Sequence, residues 1–388
     1  MIKLLARLFI KDYNNYNSTE VRTKYGLLSG FVGLFFNTIL FSLKLFIGTV
    51  TKSIAIIADG FNNLSDASLS IIQLIGFKLS NKKPDDEHPF GHGRIEYICA
   101  LIISIFIILM GIDLFKDSVL RIKNPAETQY SVYAIIVMAA SILVKLYMFL
   151  YNHFIAKKIN SLAIETTAKD SFSDMFATSV VIISIVINKI TSLKIDGVAG
   201  TLVASFILYT GYDSARESIS SLIGTKLPKD VYKQIEAEVM KNKTILGMHD
   251  LIIHDYGPER MMVSLHVEVP GDKNIFELHE IIDRIENAIS RKYNCNTVIH
   301  MDPIDINDER LKYYKKLIAE KIKEIDSQLE VHDIRRSKKN KKTKLFFDVV
   351  KPYSLKMSNE QLCEKISSAI KAAVPNTSCS ITIDNPLY

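Results

Sequence analysis

The chain has 388 residues, 48% of them hydrophobic and 23% charged, with a net charge of +6 and no tryptophan. The charge is modest and no aromatic platform accompanies the basic residues, which excludes a nucleic-acid-binding protein. The averages hide a lopsided distribution: long apolar runs fall before about residue 225 and most of the charge after it, so a membrane half precedes a soluble half. Cys99, Cys295, Cys363 and Cys379 form no CxxC pair, which argues for a reducing environment around the soluble half and against a thiolate metal site.

The first residues, with Asp12, Asn14, Asn15 and Glu20, are polar and do not read as a cleaved signal peptide. A hydrocarbon core of about 30 Å needs roughly 20 apolar residues in a helix. Six stretches qualify: Gly26–Val50, Ser53–Ser80, Ile95–Phe115, Val132–Tyr151, Leu162–Asn188 and Gly197–Ser218. Short connections make neighbours antiparallel, and an even number of crossings puts both termini on one side. That side carries Arg22, Lys24, Lys82, Lys83, Arg94, Lys157 and Lys158, whereas the opposite loops hold Lys52, Arg121, Lys123, Lys189 and Lys194. The positive-inside rule therefore places both termini and the soluble half in the cytoplasm of a cell-membrane protein.

Charges inside hydrocarbon are expensive and mark function. The second span carries Asn62 and Asp66, and the fifth carries Asp170 and Asp174; each pair is spaced i, i+4 and so stacks on one helical face. Two such helices face to face converge four oxygen ligands on a point, a natural arrangement for a divalent cation. Interhelical hydrogen bonding or snorkelling to water would explain one polar residue but not matched pairs on two spans. A catalytic carboxylate pair is disfavoured because no His or Lys accompanies the cluster, and nothing resembles an activated water with a general base; an enzyme is not expected. Asp59, one turn before Asn62 on the same face, either lines a water path or caps the helix start.

In the loop between spans two and three, Asp85, His88 and His92 of "DDEHPFGHG" either hold a cation or shape a turn around Pro89 and the glycines. Beyond Pro228 the pattern reads α–β–β–α–β: a helix at Lys229–Lys243, a strand at His249–Asp255, the alternating "RMMVSLHVEVP", a helix at Ile275–Lys292 and the strand "NTVIHMD". The rest of the chain echoes that plan. "LEVHDIRR" follows "LGMHDLII", "KLFFDVVKP" follows "VSLHVEVP", "EQLCEKISSAI" follows "FELHEIIDRIENAI", and "CSITIDNP" follows "NTVIHMDP", with Tyr313–Ile325 as the leading helix. Aligned this way, His332 survives, Cys363 stands where His279 does, and Ile383 and Asn385 replace His300 and Asp302, which suits assembly or packing. The basic run Arg335–Lys344 reads as a solvated hairpin tip.

"SIAIIADGFNNLSD", "DDEHPFGHGRIE" and "AKDSFSD" together resemble the cation diffusion facilitator family, over about residues 22–303. The resemblance implies an α-helical membrane protein. A six-transmembrane-helix bundle (1–225) is followed by a cytoplasmic ferredoxin-like α+β domain (226–304), and a second, degenerate copy (305–388) lies beyond the family's usual extent. It implies a homodimeric exporter of divalent metal cations, embedded in lipid and driven by protons as counter-substrate. The transport site falls on Asn62, Asp66, Asp170 and Asp174. A regulatory metal pair falls on His249, His266, His279, His300 and Asp302, and in some members a peripheral ion sits on the loop. Zinc-selective relatives place His at one or both of the Asn62 and Asp170 positions. The all-oxygen set here resembles the manganese-exporting branch, in keeping with harder ligands weakening a site for Zn²⁺ more than for Mn²⁺. Mn²⁺ is therefore the expected cargo, with Zn²⁺, Fe²⁺ or Co²⁺ efflux on the same scaffold as the alternative and a membrane-bound metal sensor without transport as the alternative of another class. Three clustered carboxylates cannot all stay ionised without a metal, so metal binding should displace protons. Some relatives pair the cation at Arg94 with an acid near the end of span six; Gly224 stands there.

Overall fold

A computed structural model describes residues 2–16, 18–50, 54–124, 132–191, 196–225, 229–258, 260–339 and 342–385. Lys52 and Lys194 of the expected loops, Ser53 at the expected start of span two, Pro228, and residues 340–341 at the expected basic hairpin tip lie outside these. The chain divides into two compact units, Met1–Thr225 with Asp255–Arg260, and Lys226–His254 with Met261–Tyr388.

The first unit opens with a short helix not anticipated from sequence, α1 (Ile2–Phe9). Six long helices follow among the described residues: α2 (Thr19–Val50), α3 (Ile54–Ser80), α4 (Ile95–Lys123), α5 (Val132–Ile159), α6 (Leu162–Thr191) and α7 (Asp196–Ile223). α2, α4, α5 and α6 contain stretches long and apolar enough to cross a membrane. Asn62, Asn63, Asp66 and Gln73 dilute the hydropathy of α3, as Asp213, Arg216 and Glu217 do that of α7. The helices outrun the expected apolar stretches: α4 continues past Phe115 and α5 past Tyr151. Arg121 and Lys123, then Lys157 and Lys158, occupy those last turns, where cations complement the helix dipole.

The polarity of this unit is inverted relative to a water-soluble bundle. Phe31 and Phe46 are 59% and 69% exposed, whereas Asp66, Gln73, Lys145 and Asn152 are buried. Small residues bring the helices together: a Cβ at Gly26 would lie 2.2 Å from the Phe77 ring, so α2 and α3 close only because that position is glycine. At one end of the bundle Arg22 is buried against Glu96 at 2.8 Å and donates to the Ile159 carbonyl, while Ser161 donates to Glu96. This buried ion pair ties α2, α4 and the α5–α6 turn together. Arg94 spends its guanidinium on the Asp255 carbonyl, at 3.0 and 2.7 Å, and stacks over Tyr256. The Asp255–Arg260 segment is thus held to the α3–α4 loop.

The second unit contains two three-stranded sheets. Helix α8 (Lys229–Val239), strands β1 (Gly247–Asp255) and β2 (Met261–Pro270), helix α9 (Ile275–Tyr293) and strand β3 (Cys295–Ile304) build a sheet of order β1-β2-β3. β2 and β3 run parallel, so α9 is the crossover that such a pair requires. Alternating Val263, Leu265 and Val267 bury one sheet face against Leu278, Ile282 and Ile289 of α9. Asn274 caps α9, and Asn294 ends it in a left-handed conformation. α8 stops short of the expected Lys243, where Asn242 accepts from the Thr244 amide in a turn.

The same element order recurs in α10 (Glu309–Ile325), β4 (Glu330–Lys339), β5 (Lys342–Val350), α11 (Asn359–Ala373) and β6 (Thr377–Asp384), with sheet order β4-β5-β6 and β5 parallel to β6. α10 begins a turn earlier than the expected Tyr313 because Asp308 accepts from the Arg310 and Leu311 amides while pairing with Arg336. Ser358 and Gln361 form a reciprocal capping box on α11.

Candidate metal centre

Buried carboxylates from two helices converge in the first unit. Asp66 of α3 and Asp170 and Asp174 of α6 each present an oxygen within 4.8 Å of the others. Metal–oxygen bonds of about 2.0–2.6 Å put opposite ligands at most about 4–5 Å apart, so one divalent ion fits between them with little movement. Asp66 is 2% exposed, and its Oδ1 is buried without a hydrogen-bond partner, an oxygen free to meet a cation.

The expectation that no Lys accompanies this cluster is corrected. Lys145 of α5 places its Nζ 2.7 Å from Asp66 Oδ2 and 2.6 Å from Asp174 Oδ2. One buried ammonium thus sits among three carboxylates and leaves a deficit of two positive charges when all are ionised. From sequence, a single Lys in "SILVKLYMFL" gives no hint of partners 79 and 29 residues away.

Asn62 is half-buried one turn before Asp66, and the amide that reaches Asp66 Oδ2, at 3.4 Å, belongs to its buried neighbour Asn63. Asp59 lies well inside α3 and pairs at 2.8 Å with Lys44, a buried lysine of α2. Toward the Arg22–Glu96 end, polar contacts continue beyond the carboxylates. Gln73 donates to Ser29, Ser29 to Asn152, and Thr167 to Gln73, linking α2, α3, α5 and α6.

In the α3–α4 loop Asp85 lies 3.5 Å from both the His88 and His92 imidazoles, whose rings are 4.6 Å apart. Lys82 and the His88 amide hydrogen-bond its carboxylate, and its pKa falls to about 2. The carboxylate is thus ionised and ready for a cation throughout the physiological range, although Lys82 already partly neutralises it.

In the second unit Asp302 gathers three imidazoles: His266 at 3.0 Å, His249 at 3.5 Å and His300 at 3.6 Å. His266 and His300 are ladder partners on β2 and β3, which is why one carboxylate reaches both. His279 does not join them; it is exposed on α9 and pairs with Asp283 one turn on. Burial alone would lower the His249 pKa, but its bond to Asp250 and the charges of Asp250, Asp302 and Asp333 outweigh that, and the pKa is raised. Burial raises that of Asp333, as burial and then Asp348 and Asp250 raise that of Asp384.

Comparison with known proteins gives these clusters a context. Residues 30–223 match the family model described as the cation efflux transmembrane domain, and residues 227–304 match that of the cation efflux protein, cytoplasmic domain. An uncharacterized transporter of Methanocaldococcus jannaschii is 33% identical over 270 residues, 69% of this chain and 95% of the relative. The manganese efflux system protein MneS of Bacillus subtilis is 31% identical over 69% of this chain and 92% of its own length. The cation-efflux pump FieF of Cronobacter sakazakii is 27% identical over 69% of this chain and 90% of its own length.

Proposed function

The chain belongs to the cation diffusion facilitator (cation efflux) family, and from that premise we propose that it exports Mn²⁺ in exchange for protons through the Asp66–Asp170–Asp174 centre. It is a multi-pass membrane transporter of divalent metal cations. In this reading helices α2–α7 all cross the bilayer, with both ends of the bundle's chain and the second unit on the cytoplasmic side. Residues 226–304 form the ferredoxin-like domain through which two copies assemble, and residues 305–388 form a second copy of the same plan.

The observation that carries the proposal is the ammonium of Lys145 between Asp66 and Asp174. It acts as a tethered monovalent cation, neutralising one of the site's three carboxylate charges. An incoming divalent ion displaces it and any protons on the carboxylates; when the ion leaves, the ammonium and protons return, and the site is never left as three bare carboxylates in hydrocarbon. Charge balance thus couples metal release to proton uptake.

Oxygen-only first ligands favour Mn²⁺ over Zn²⁺, since the general affinity order otherwise favours zinc. Relatives named as manganese efflux system proteins support this cargo. Asn62 contributes the fourth oxygen, with Asn63 as a positioning residue that holds Asp66. Purified protein in liposomes, loaded with metal and given a pH gradient, tests the exchange. Metal flux should rise with the opposing proton gradient, and flux indifferent to the gradient would overturn the coupling.

A further inference from the structure

The ladder register of the two sheets changes what residues 305–388 retain. β2 pairs His266 with His300 and Glu268 with Asp302; β5 pairs Asp348 with Thr382 and Val350 with Asp384. The buried alternation Val263, Leu265, Val267 superposes on Leu345, Phe347, Val349, which equates Asp348 with His266 and Val350 with Glu268. Asp384 then occupies the place of Asp302, and Thr382 that of His300. This corrects the sequence echo, which put Ile383 and Asn385 there by aligning the terminal prolines. The histidines agree: Asp250 and Asp333, each immediately after its histidine, both adopt a left-handed backbone, at φ 52° and 50°. Such a conformation is uncommon outside glycine and re-aims the preceding side chain.

The two halves therefore hold equivalent triads, His249–His266–Asp302 and His332–Asp348–Asp384, and in each the three ligand atoms lie within 4.8 Å of one another. The triads meet. The His249 and His332 rings are 5.0 Å apart, and His332 Nε2 is 3.3 Å from Asp250 Oδ1 and 3.7 Å from Asp384 Oδ2. His249, Asp250 and His332 form a third close group joining the two. His249 is 92% buried by its 8% exposure, and its Nε2, facing Asp302, has no hydrogen-bond partner.

We infer that the second half is a metal-binding half-site: His332, Asp348 and Asp384 bind a divalent cation of their own, adjacent to one on His249, His266 and Asp302, with Asp250 between them. A buried histidine–aspartate network without metal would leave the His249 nitrogen unsatisfied, whereas a cation satisfies it. One imidazole and two carboxylates make the second triad the harder of the two, suited to Mn²⁺, while the first suits Zn²⁺ as well. The inference stands apart from the transport site.

The test counts bound Mn²⁺ per chain by equilibrium dialysis of the full-length protein in detergent, with transport and loop carboxylates blocked by Asp66→Asn, Asp170→Asn, Asp174→Asn and Asp85→Asn, and with Lys145→Met so that no buried ammonium is stranded. Two ions per chain are expected. Adding His332→Ala with Asp384→Asn should remove one, and in the parent Mn²⁺ should protect β6 amides from hydrogen exchange. An unchanged count, or no metal-dependent protection in β6 of the parent, would overturn the inference. Asp348→His guards against misfolding: it should keep the count and shift the second ion's preference toward Zn²⁺ about tenfold, and an unchanged preference excludes Asp348 as a ligand.

Discussion

Lys145 Nζ and Asp66 Oδ2 are 2.7 Å apart in the interior of the helical bundle, joined from helices α5 and α3. The pair neutralises one of the site's three carboxylate charges, and its consequences separate stability from transport. Asp66→Ala should abolish efflux and also destabilise the protein by about 1.5–3 kcal/mol, because the buried Lys145 ammonium loses one of its two carboxylate partners and keeps only Asp174. Asp66→Ala with Lys145→Met should recover most of the stability and none of the transport. Denaturation and flux measured on the two variants check this; a double variant as unstable as the single one would contradict the pairing.

Lys145→Met alone removes the internal competitor for the metal. Mn²⁺ should bind at least about tenfold more tightly, equivalent to about 1.4 kcal/mol, while turnover falls because release loses its returning cation. Equilibrium binding and single-turnover release from the purified protein separate the two effects. Weaker binding would assign the lysine a purely structural role.

Asn62→His should shift transport preference from Mn²⁺ toward Zn²⁺ about tenfold by introducing a softer ligand. Asn63→Ala should slow transport without changing the preference, since Asn63 reaches Asp66 and not the ion. Competitive uptake of the two metals reads both. A preference shift from Asn63→Ala alone would exchange the roles of the two amides.

The cytoplasmic cluster makes a pH prediction. The raised His249 pKa means that the folded, metal-free unit binds this proton more tightly than the unfolded chain. Its stabilisation is complete below about pH 6.5 and is lost as pH rises through the raised folded value. Asp333 and Asp384, also raised, act in the same sense from about pH 3.9 upward, and Asp250, lowered, acts in the opposite sense as pH falls. Hydrogen-exchange protection of β1 and β4, corrected for intrinsic rates, should therefore decline as pH rises above about 6.5 without metal. Mn²⁺ should restore it by taking the proton's place. Protection that rises over that window in the absence of metal would contradict the assignment.

The sequence exposed what depends on local spacing and hid what depends on register and distance. The i, i+4 polar pairs of α3 and α6 and the α–β–β–α–β order of residues 229–304 are periodic and can be read directly. Lys145 cannot, because an isolated lysine in an apolar helix points nowhere until α5 is packed beside α3 and α6. Lys44 hides in the same way, and only the packed bundle shows that it pairs with Asp59. The family resemblance implies His279 as a ligand, but its place on α9 turns it toward Asp283. Asp384 escapes the sequence alignment by one residue, an error that only a hydrogen-bonded ladder corrects, because side chains on a strand change face at every step.

The central claim is that the Asp66–Asp170–Asp174 centre moves Mn²⁺ across the membrane. Its most direct test is competitive uptake of Mn²⁺ against Zn²⁺ into proteoliposomes, with Asp66→Ala as the blank. Mn²⁺ uptake should outcompete Zn²⁺ and vanish in the blank. Metal that binds the protein but does not cross, or transport that survives Asp66→Ala, would contradict it.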